Sequence, residues 1–377
     1  MKVAIFESIV TPGGHEHDFD NMLVTEYVKA GYSVVLIVPE GYPFKIDYGV
    51  PVHYLKGRAI SYAGVSGFKK MLLALTREIR RIKWFNQIAD YASTDNIEAI
   101  IIPTATYRFL RSVRHSKLVN SPVPVIPVMH GINPKEAPKF FGEIEKLKRN
   151  PAIMNTVITL GTNLFGRSFD NVRCVLPPFY PPTPDINTTA TNDKLTLGFF
   201  GQYRREKNLD AFLDTFLKCR FTIPVKLLVQ GATSLPEDAT DFQRIQEKYR
   251  HAEQINFWHK ALIGRDWHEA IAGVDVLIMP YSAERYLYHW SAMLFTAIGF
   301  QKPVVMADTI NPEVLTDYNI GMTFNTQDNQ ALQQVLEQFV NTYPAMKSVY
   351  YGELRKARHA YAPTRFVRDL LTLNAMD

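Results

Sequence analysis

The chain has 377 residues, 46% of them apolar and 21% charged, with a formal net charge of +5. That length is too great for one ordinary α/β domain and comfortable for two, and the composition is that of a folded globular protein. The modest charge gives no ground for a nucleic-acid partner. The two cysteines, Cys174 and Cys219, lie in apolar contexts without metal-ligand spacing, as in a reduced cytoplasmic protein. No signal peptide is expected before the first strand, and no apolar run reaches the roughly 18–20 residues of a membrane span.

The first half alternates strand and helix signals. A short apolar run at 3–6 is followed by a loop, Ser8-Ile-Val-Thr-Pro-Gly-Gly14, without the Gly-x-Gly-x-x-Gly spacing of a dinucleotide fold. Gly13 and Gly14 would leave room there for an acceptor hydroxyl or donor phosphates. His15, Glu16, His17, Asp18 and Asp20 follow closely. Glu16 and Asp18 are the carboxylates suited to take a proton from an acceptor, whereas His15 and His17 lack the further ligands of a metal site.

A helix over 19–31, a strand at 34–38 and a long helix over 67–92 come next. That helix carries Phe68, Leu72, Leu75, Ile79 and Ile82 along one side, beside Lys69, Lys70, Arg77, Arg80, Arg81 and Lys83, with Trp84 and Phe85 adjoining. It fits either a domain helix with its apolar side inward or a surface for anionic membrane. Strands are expected at 99–102, 125–129, 157–160 and 173–176. His130 follows the strand at 125–129 and precedes Gly131, which puts it at a carboxyl strand end.

Pro177-Pro-Phe-Tyr-Pro-Pro-Thr-Pro184 and the Thr/Asn-rich residues after it break the alternation. This predicts a first domain over 1–180, a linker at 181–194, a second domain over 195–350 and a C-terminal helix at 351–377 that packs back on the first. Strand signals restart at 196–200, 226–230, 254–258, 274–279 and 303–307. The first ends at Gly201 and leads into Arg204, Arg205 and Lys207 at the start of a helix. Glycine lets the backbone approach a ligand, and a helix start with cations suits phosphate. Asp275 lies inside a strand signal and reads as structural.

Four pieces of the second half, in order, resemble the nucleotide-sugar-binding domain of GT-B glycosyltransferases, especially the large retaining family 4. They are Phe200-Gly201 through Lys207-Asn208, the strand and turn Ala272-Gly-Val-Asp-Val-Leu-Ile-Met-Pro-Tyr-Ser282 with Glu284 after it, Ala297-Ile-Gly-Phe-Gln-Lys-Pro-Val-Val305, and Asn311-Pro-Glu-Val-Leu315. In the first half, Pro12-Gly-Gly14 and His130-Gly131 look like the family's acceptor-side loop and inter-domain histidine. The sequence departs from the family at Gln202, where an arginine is usual, at Ala292, where a second glutamate is usual, and in the spacing of Gly299.

The resemblance implies two Rossmann-like, doubly wound parallel-sheet domains facing a central cleft. It implies metal-independent transfer of a sugar from a nucleoside-diphosphate donor, UDP first with GDP or dTDP open, to a glycan or lipid-linked acceptor of bacterial surface polysaccharide. No further cofactor is expected. Lys207 with Arg204 or Arg205 would clamp the diphosphate, and Ser291 and Ala292 would begin a helix aimed at it. Glu284 and Glu313 would hold sugar or ribose hydroxyls, the backbone at 259–262 would meet the base, and His130 would stand near the reaction. A cytoplasmic enzyme, peripheral on the inner face of the plasma membrane, is expected. A sugar-nucleotide epimerase and a non-catalytic carbohydrate-binding protein are the other readings.

Overall fold

A computed structural model of the chain describes residues 1–9, 16–60, 67–160, 164–189, 193–281, 284–328 and 330–372. The chain divides into two compact units. The first holds the N-terminal strand, Glu16–Pro177 and the segment from Pro363; the second holds Pro178–Ala362.

In unit 1, seven strands pair in the order β3-β2-β1-β4-β5-β6-β7: β1 (Lys2–Phe6), β2 (Ser33–Pro39), β3 (Val52–Leu55), β4 (Ala99–Ile102), β5 (Val125–Met129), β6 (Asn155–Ile158) and β7 (Val172–Val175). Every pairing is parallel. Helices α1 (Glu16–Lys29), α2 (Gly67–Thr94), α3 (Tyr107–Arg114) and α4 (Ala137–Leu147) cross between them. All residues of β4 and β5 are buried, which is why these strands read as unbroken apolar runs. β6 starts two residues before the expected 157–160, because its first residues are polar and give no apolar run. Asn155 donates to the Asn171 carbonyl at 3.0 Å, and Thr156 Oγ1 accepts from Arg173 at 2.9 Å.

Unit 2 repeats the arrangement with six parallel strands in the order β10-β9-β8-β11-β12-β13. They are β8 (Leu195–Phe199), β9 (Val225–Gln230), β10 (Ile255–Trp258), β11 (Val276–Met279), β12 (Val304–Ala307) and β13 (Gly321–Phe324). Helices α5 (Leu209–Lys218), α6 (Pro236–Lys248), α7 (Arg265–Ala272), α8 (Ala292–Gly299), α9 (Pro312–Asp317) and α10 (Ala331–Ala360) complete it. Asp275 is structural, accepting from the Thr196 N–H at 2.9 Å at the foot of β8.

The strand order reverses between β1 and β4 in unit 1 and between β8 and β11 in unit 2. The crevice outside the carboxyl ends of strands at such a switch is where open α/β sheets take ligands.

The proline-rich stretch is not a free linker. Phe179 N–H donates to the Tyr361 carbonyl at 2.9 Å, and Tyr180 stacks on Trp290 at 5.4 Å. Farther on, the buried Lys302 ammonium donates to the Thr188 carbonyl at 2.6 Å. Position 299 must be glycine, because a Cβ there would lie 1.8 Å from the Tyr180 carbonyl oxygen. The expected helix at 351–377 is two elements. Residues 351–360 finish α10 within unit 2, and only α11 (Pro363–Leu371) belongs to unit 1. There Tyr27 donates to the Val367 carbonyl at 3.2 Å, and Arg173 grips the carbonyls of Leu370 and Thr372.

Candidate functional site

At the switch point of unit 2, β8 ends at Phe199 and the chain turns at Gly201 with φ of 108°, a conformation costly for any side chain. The Gly201 N–H donates to Gln230 Oε1 at 2.9 Å. Gln230, 1% exposed at the end of β9, donates in turn to the Lys260 carbonyl at 2.5 Å. One buried amide therefore holds both the glycine turn and the 259–262 segment, a role the sequence reading missed. A polar residue closing the apolar run Leu227-Leu-Val229 is the signal that marks it.

Arg205–Lys207 form a single 3-10 turn before α5. The Lys207 ammonium lies over the Tyr281 ring at 4.7 Å and the Phe199 ring at 5.5 Å, and a methyl at Gly201 would be 3.7 Å from it. Desolvation pulls its pKa down to about 7; Arg285 and Arg204 push the same way, and Glu206 opposes them. Among the described residues no carboxylate comes within ion-pair distance of Lys207.

The two expected companions differ. Arg204 stays by Lys207, sharing Glu206 at 3.5 Å. Arg205 pairs with Asp238, in the first turn of α6, at 3.7 Å. Gln202, in the arginine position, donates to Ser234 Oγ at 2.8 Å.

The first turn of α8 closes the other side, with Met293 Cε 3.8 Å from where a Gly201 methyl would sit. Ser291 is its N-cap: the hydroxyl accepts from Leu294 at 3.4 Å, and the Ser291 N–H donates to Asn311 Oδ1 at 2.7 Å. The hydroxyl is thus engaged, whereas the N–H groups of Ala292 and Met293 donate to no described residue. Asn311 also donates to the carbonyls of Tyr286 and His289, at 2.9 and 3.1 Å, tying the loop after β11 to the start of α9. Glu284 opens a 3-10 turn in that loop and Glu313 lies in the first turn of α9. Both are exposed, and neither has an ion pair among the described residues.

Solved structures align over nearly the whole chain. A glycosyltransferase from Rickettsia africae matches at 10% identity over 98% of both chains, with a TM-score of 0.68. HepE from Anabaena, crystallised with UDP and glucose, matches at 12% identity over 98% of both chains with 0.64. The catalytic domain of starch synthase IV from Arabidopsis thaliana, bound to ADP and acarbose, matches at 11% identity over 99% of this chain and 98% of its own, with 0.69. The chain has the GT-B fold. The sequence itself matches no protein-family profile and no curated protein.

Within this GT-B chain, Gly201, Arg204, Lys207, Glu284, Ser291, Ala292 and Glu313 lie in unit 2, and Glu16, Asp18 and His130 in unit 1. Gly13 and Gly14 fall outside the described residues. His130 Nε2 meets the Pro103 carbonyl at 2.9 Å, and its ring packs edge-on against Phe19 at 4.7 Å. That geometry puts the proton on Nε2 and orients the ring as part of the strand-end packing.

Glu16 joins an acidic cluster that sequence reading saw only in part. Glu7, directly after β1, is 2% exposed, with Oε1 accepting from the Ser8 and Ile9 N–H groups. Its Oε2, both Asp20 oxygens and Glu16 Oε2 are buried without a hydrogen-bond partner. Burial, then the Glu16 charge, raises the Glu7 carboxyl to about 8. Asp20 is driven well above its usual range by burial and by Glu7 and Glu16, and Asp18 rises to about 6 by burial and Glu16. These groups share protons rather than ionising together. His17 is buried beside them, its Nδ1 3.5 Å from the Tyr48 hydroxyl. Among the described residues no group of three His, Cys, Asp or Glu side chains is placed to hold a metal ion.

Proposed function

We propose that the protein is a glycosyltransferase that uses a nucleoside-diphosphate sugar, a UDP-sugar first, and passes the sugar to a hydroxyl of a glycan or lipid-linked acceptor. The observation that carries this is the convergence of Gly201, the Lys207 ammonium, which has no ion pair among the described residues, and the N-terminal turn of α8 at the switch point of unit 2. In such a transfer the acceptor oxygen bonds to the anomeric carbon while the bond to the diphosphate oxygen breaks, leaving the electron pair on the diphosphate. Lys207, Arg204 and the N–H groups of Ala292 and Met293 meet that charge with no metal required. Glu284 and Glu313 are assigned to donor hydroxyls.

In unit 1, the acceptor proton is assigned to Asp18 or Glu16. The Asp18 carboxyl, raised to about 6, is poised for a base near neutral pH. The acceptor side is also assigned a membrane. The start of α2 turns Phe68, Met71, Leu72, Leu75 and Ile79 to solvent, with Phe68 69% and Leu75 59% exposed, and Lys69 and Lys83 are exposed on the same helix. An apolar helix stripe flanked by cations fits an anionic lipid surface. No helix among the described residues is long and apolar enough to cross a membrane.

Thermal unfolding in the presence of UDP, GDP and dTDP tests the donor assignment. A ligand at about 100 times its Kd should stabilise by about 2.7 kcal/mol. No shift with any of them sinks the donor reading, and product analysis with a bound UDP-sugar separates transfer from epimerisation.

A further inference from the structure

The loop after β8 offers Lys207 and Arg204 to a diphosphate but no third cation: Gln202 is bonded to Ser234 and Arg205 is paired with Asp238. The loop after β11, on the opposite side of the same switch point, brings one in. Arg285 donates to the Tyr286 hydroxyl at 3.0 Å and lies over that ring at 4.8 Å. Tyr286 packs on Tyr281 with ring centroids 6.1 Å apart, and Tyr281 is the ring beneath the Lys207 ammonium. Two tyrosines thus carry two cations toward one place. Arg285 is the charge that weighs most on Lys207, ahead of Arg204.

No ion pair joins Arg285 to its neighbour Glu284 among the described residues. The carboxylate that opposes the cations is Glu206, exposed and shared with Arg204 at 3.5 Å. Burial, then the Arg285 charge, disfavours the charged form of Lys207, and a bound dianion opposes both. Aromatic faces hold the cations in place while leaving their N–H groups available, and guanidinium forks suit phosphate oxygens.

We infer that Arg285 is a further diphosphate-binding cation of this chain, acting with Lys207 and Arg204 from across the switch point in place of the arginine that Gln202 replaces. The inference rests on the donor-site reading above. Tyr286 is then a positioning residue that aims the guanidinium, and Arg205 is excluded from the clamp.

Calorimetric titration of the full chain with UDP, and separately with uridine, tests this. Arg285→Gln should weaken UDP on the order of 10- to 100-fold and leave uridine unchanged. Arg285→Lys should recover part of the loss, and Arg205→Gln should bind UDP as the wild type does. Unaltered thermal unfolding of Arg285→Gln separates lost contact from lost structure. If wild type binds UDP and Arg285→Gln binds it equally well, the inference is overturned while the donor site stands. If wild type binds neither UDP, GDP nor dTDP, the donor reading falls and Arg285 with it.

Discussion

Lys207 is an ammonium laid on aromatic rings in a partly desolvated place, and that determines how it responds to pH. Its pKa of about 7 means that at pH 8 it is mostly neutral. A diphosphate favours the charged form, so binding at pH 8 should draw a proton from solvent, and affinity should fall as pH rises through 7. Titration in buffers of different ionisation enthalpy measures the uptake. Lys207→Arg should abolish it, and Lys207→Ala should cost about 1.5–3 kcal/mol of UDP binding. Unchanged affinity in Lys207→Ala would return this residue to an ordinary solvated loop. The buried Glu7 carboxyl has the opposite kind of shift. Raised to about 8, it binds a proton in the folded state over a range where the unfolded chain has lost it. Its contribution is therefore complete below the ordinary carboxyl range and lost as pH climbs toward 8, with Asp20 acting in the same direction. Denaturant midpoints should fall between about pH 4.5 and 8, and Glu7→Gln should flatten that slope.

The element that behaves least as a helical pattern alone would suggest is α2. Its first half exposes the apolar side, while its second half turns Trp84, Phe85 and Ile88 into the core of unit 1. Arg81, counted by pattern among the surface cations, is buried. It donates to Glu78 at 3.1 Å and lies 4.1 Å over the Phe109 ring. Neutralising Arg81 would damage the fold, so the membrane proposal is tested at the exposed positions. Phe68→Ser with Leu72→Ser and Leu75→Ser should abolish flotation with vesicles rich in anionic lipid and leave thermal unfolding within a degree or two of wild type. Flotation that survives this triple change would remove the lipid surface from the account.

For the whole molecule, the chain leaves unit 1 at Pro177 and contributes to it again from Pro363. Truncation before Pro363 strips Phe366, Val367 and Leu370 from buried positions and removes the carbonyls that Arg173 grips. Each lost side chain is worth about 1.5–3 kcal/mol, so unit 1 should weaken by roughly 5 kcal/mol or more. Hydrogen exchange should rise first in α1 and β7, with unit 2 retaining its protection. Equal loosening of both units would refute this division of the chain.

The buried parallel strands were legible because a strand covered on both faces must be apolar throughout, as in Ala99-Ile-Ile-Ile102 and Val276-Leu-Ile-Met279. β3 and β13 were not, because each lies at a sheet edge and is half exposed, so Val52-His-Tyr-Leu55 and Gly321-Met-Thr-Phe324 carry no such run. Gly201 and Lys207 stood out by local sequence alone, since a strand ending in glycine before a cationic helix start is a pattern of neighbours. Arg285, Gln230, Asn311 and Glu7 did not, and neither did the diversion of Arg205 to Asp238. Two of those roles depend on partners far along the chain, 29 residues for Gln230 and Gly201 and 33 for Arg205 and Asp238, brought together by strand order. The sequence by itself thus determined two α/β halves, most of their strands and the place of the anion-binding loop, because burial and turn chemistry act over a few residues. Only the tertiary structure decided which charges meet, which are spent on one another and which carboxylates are forced to share protons, because those energies depend on distance and burial rather than on order along the chain.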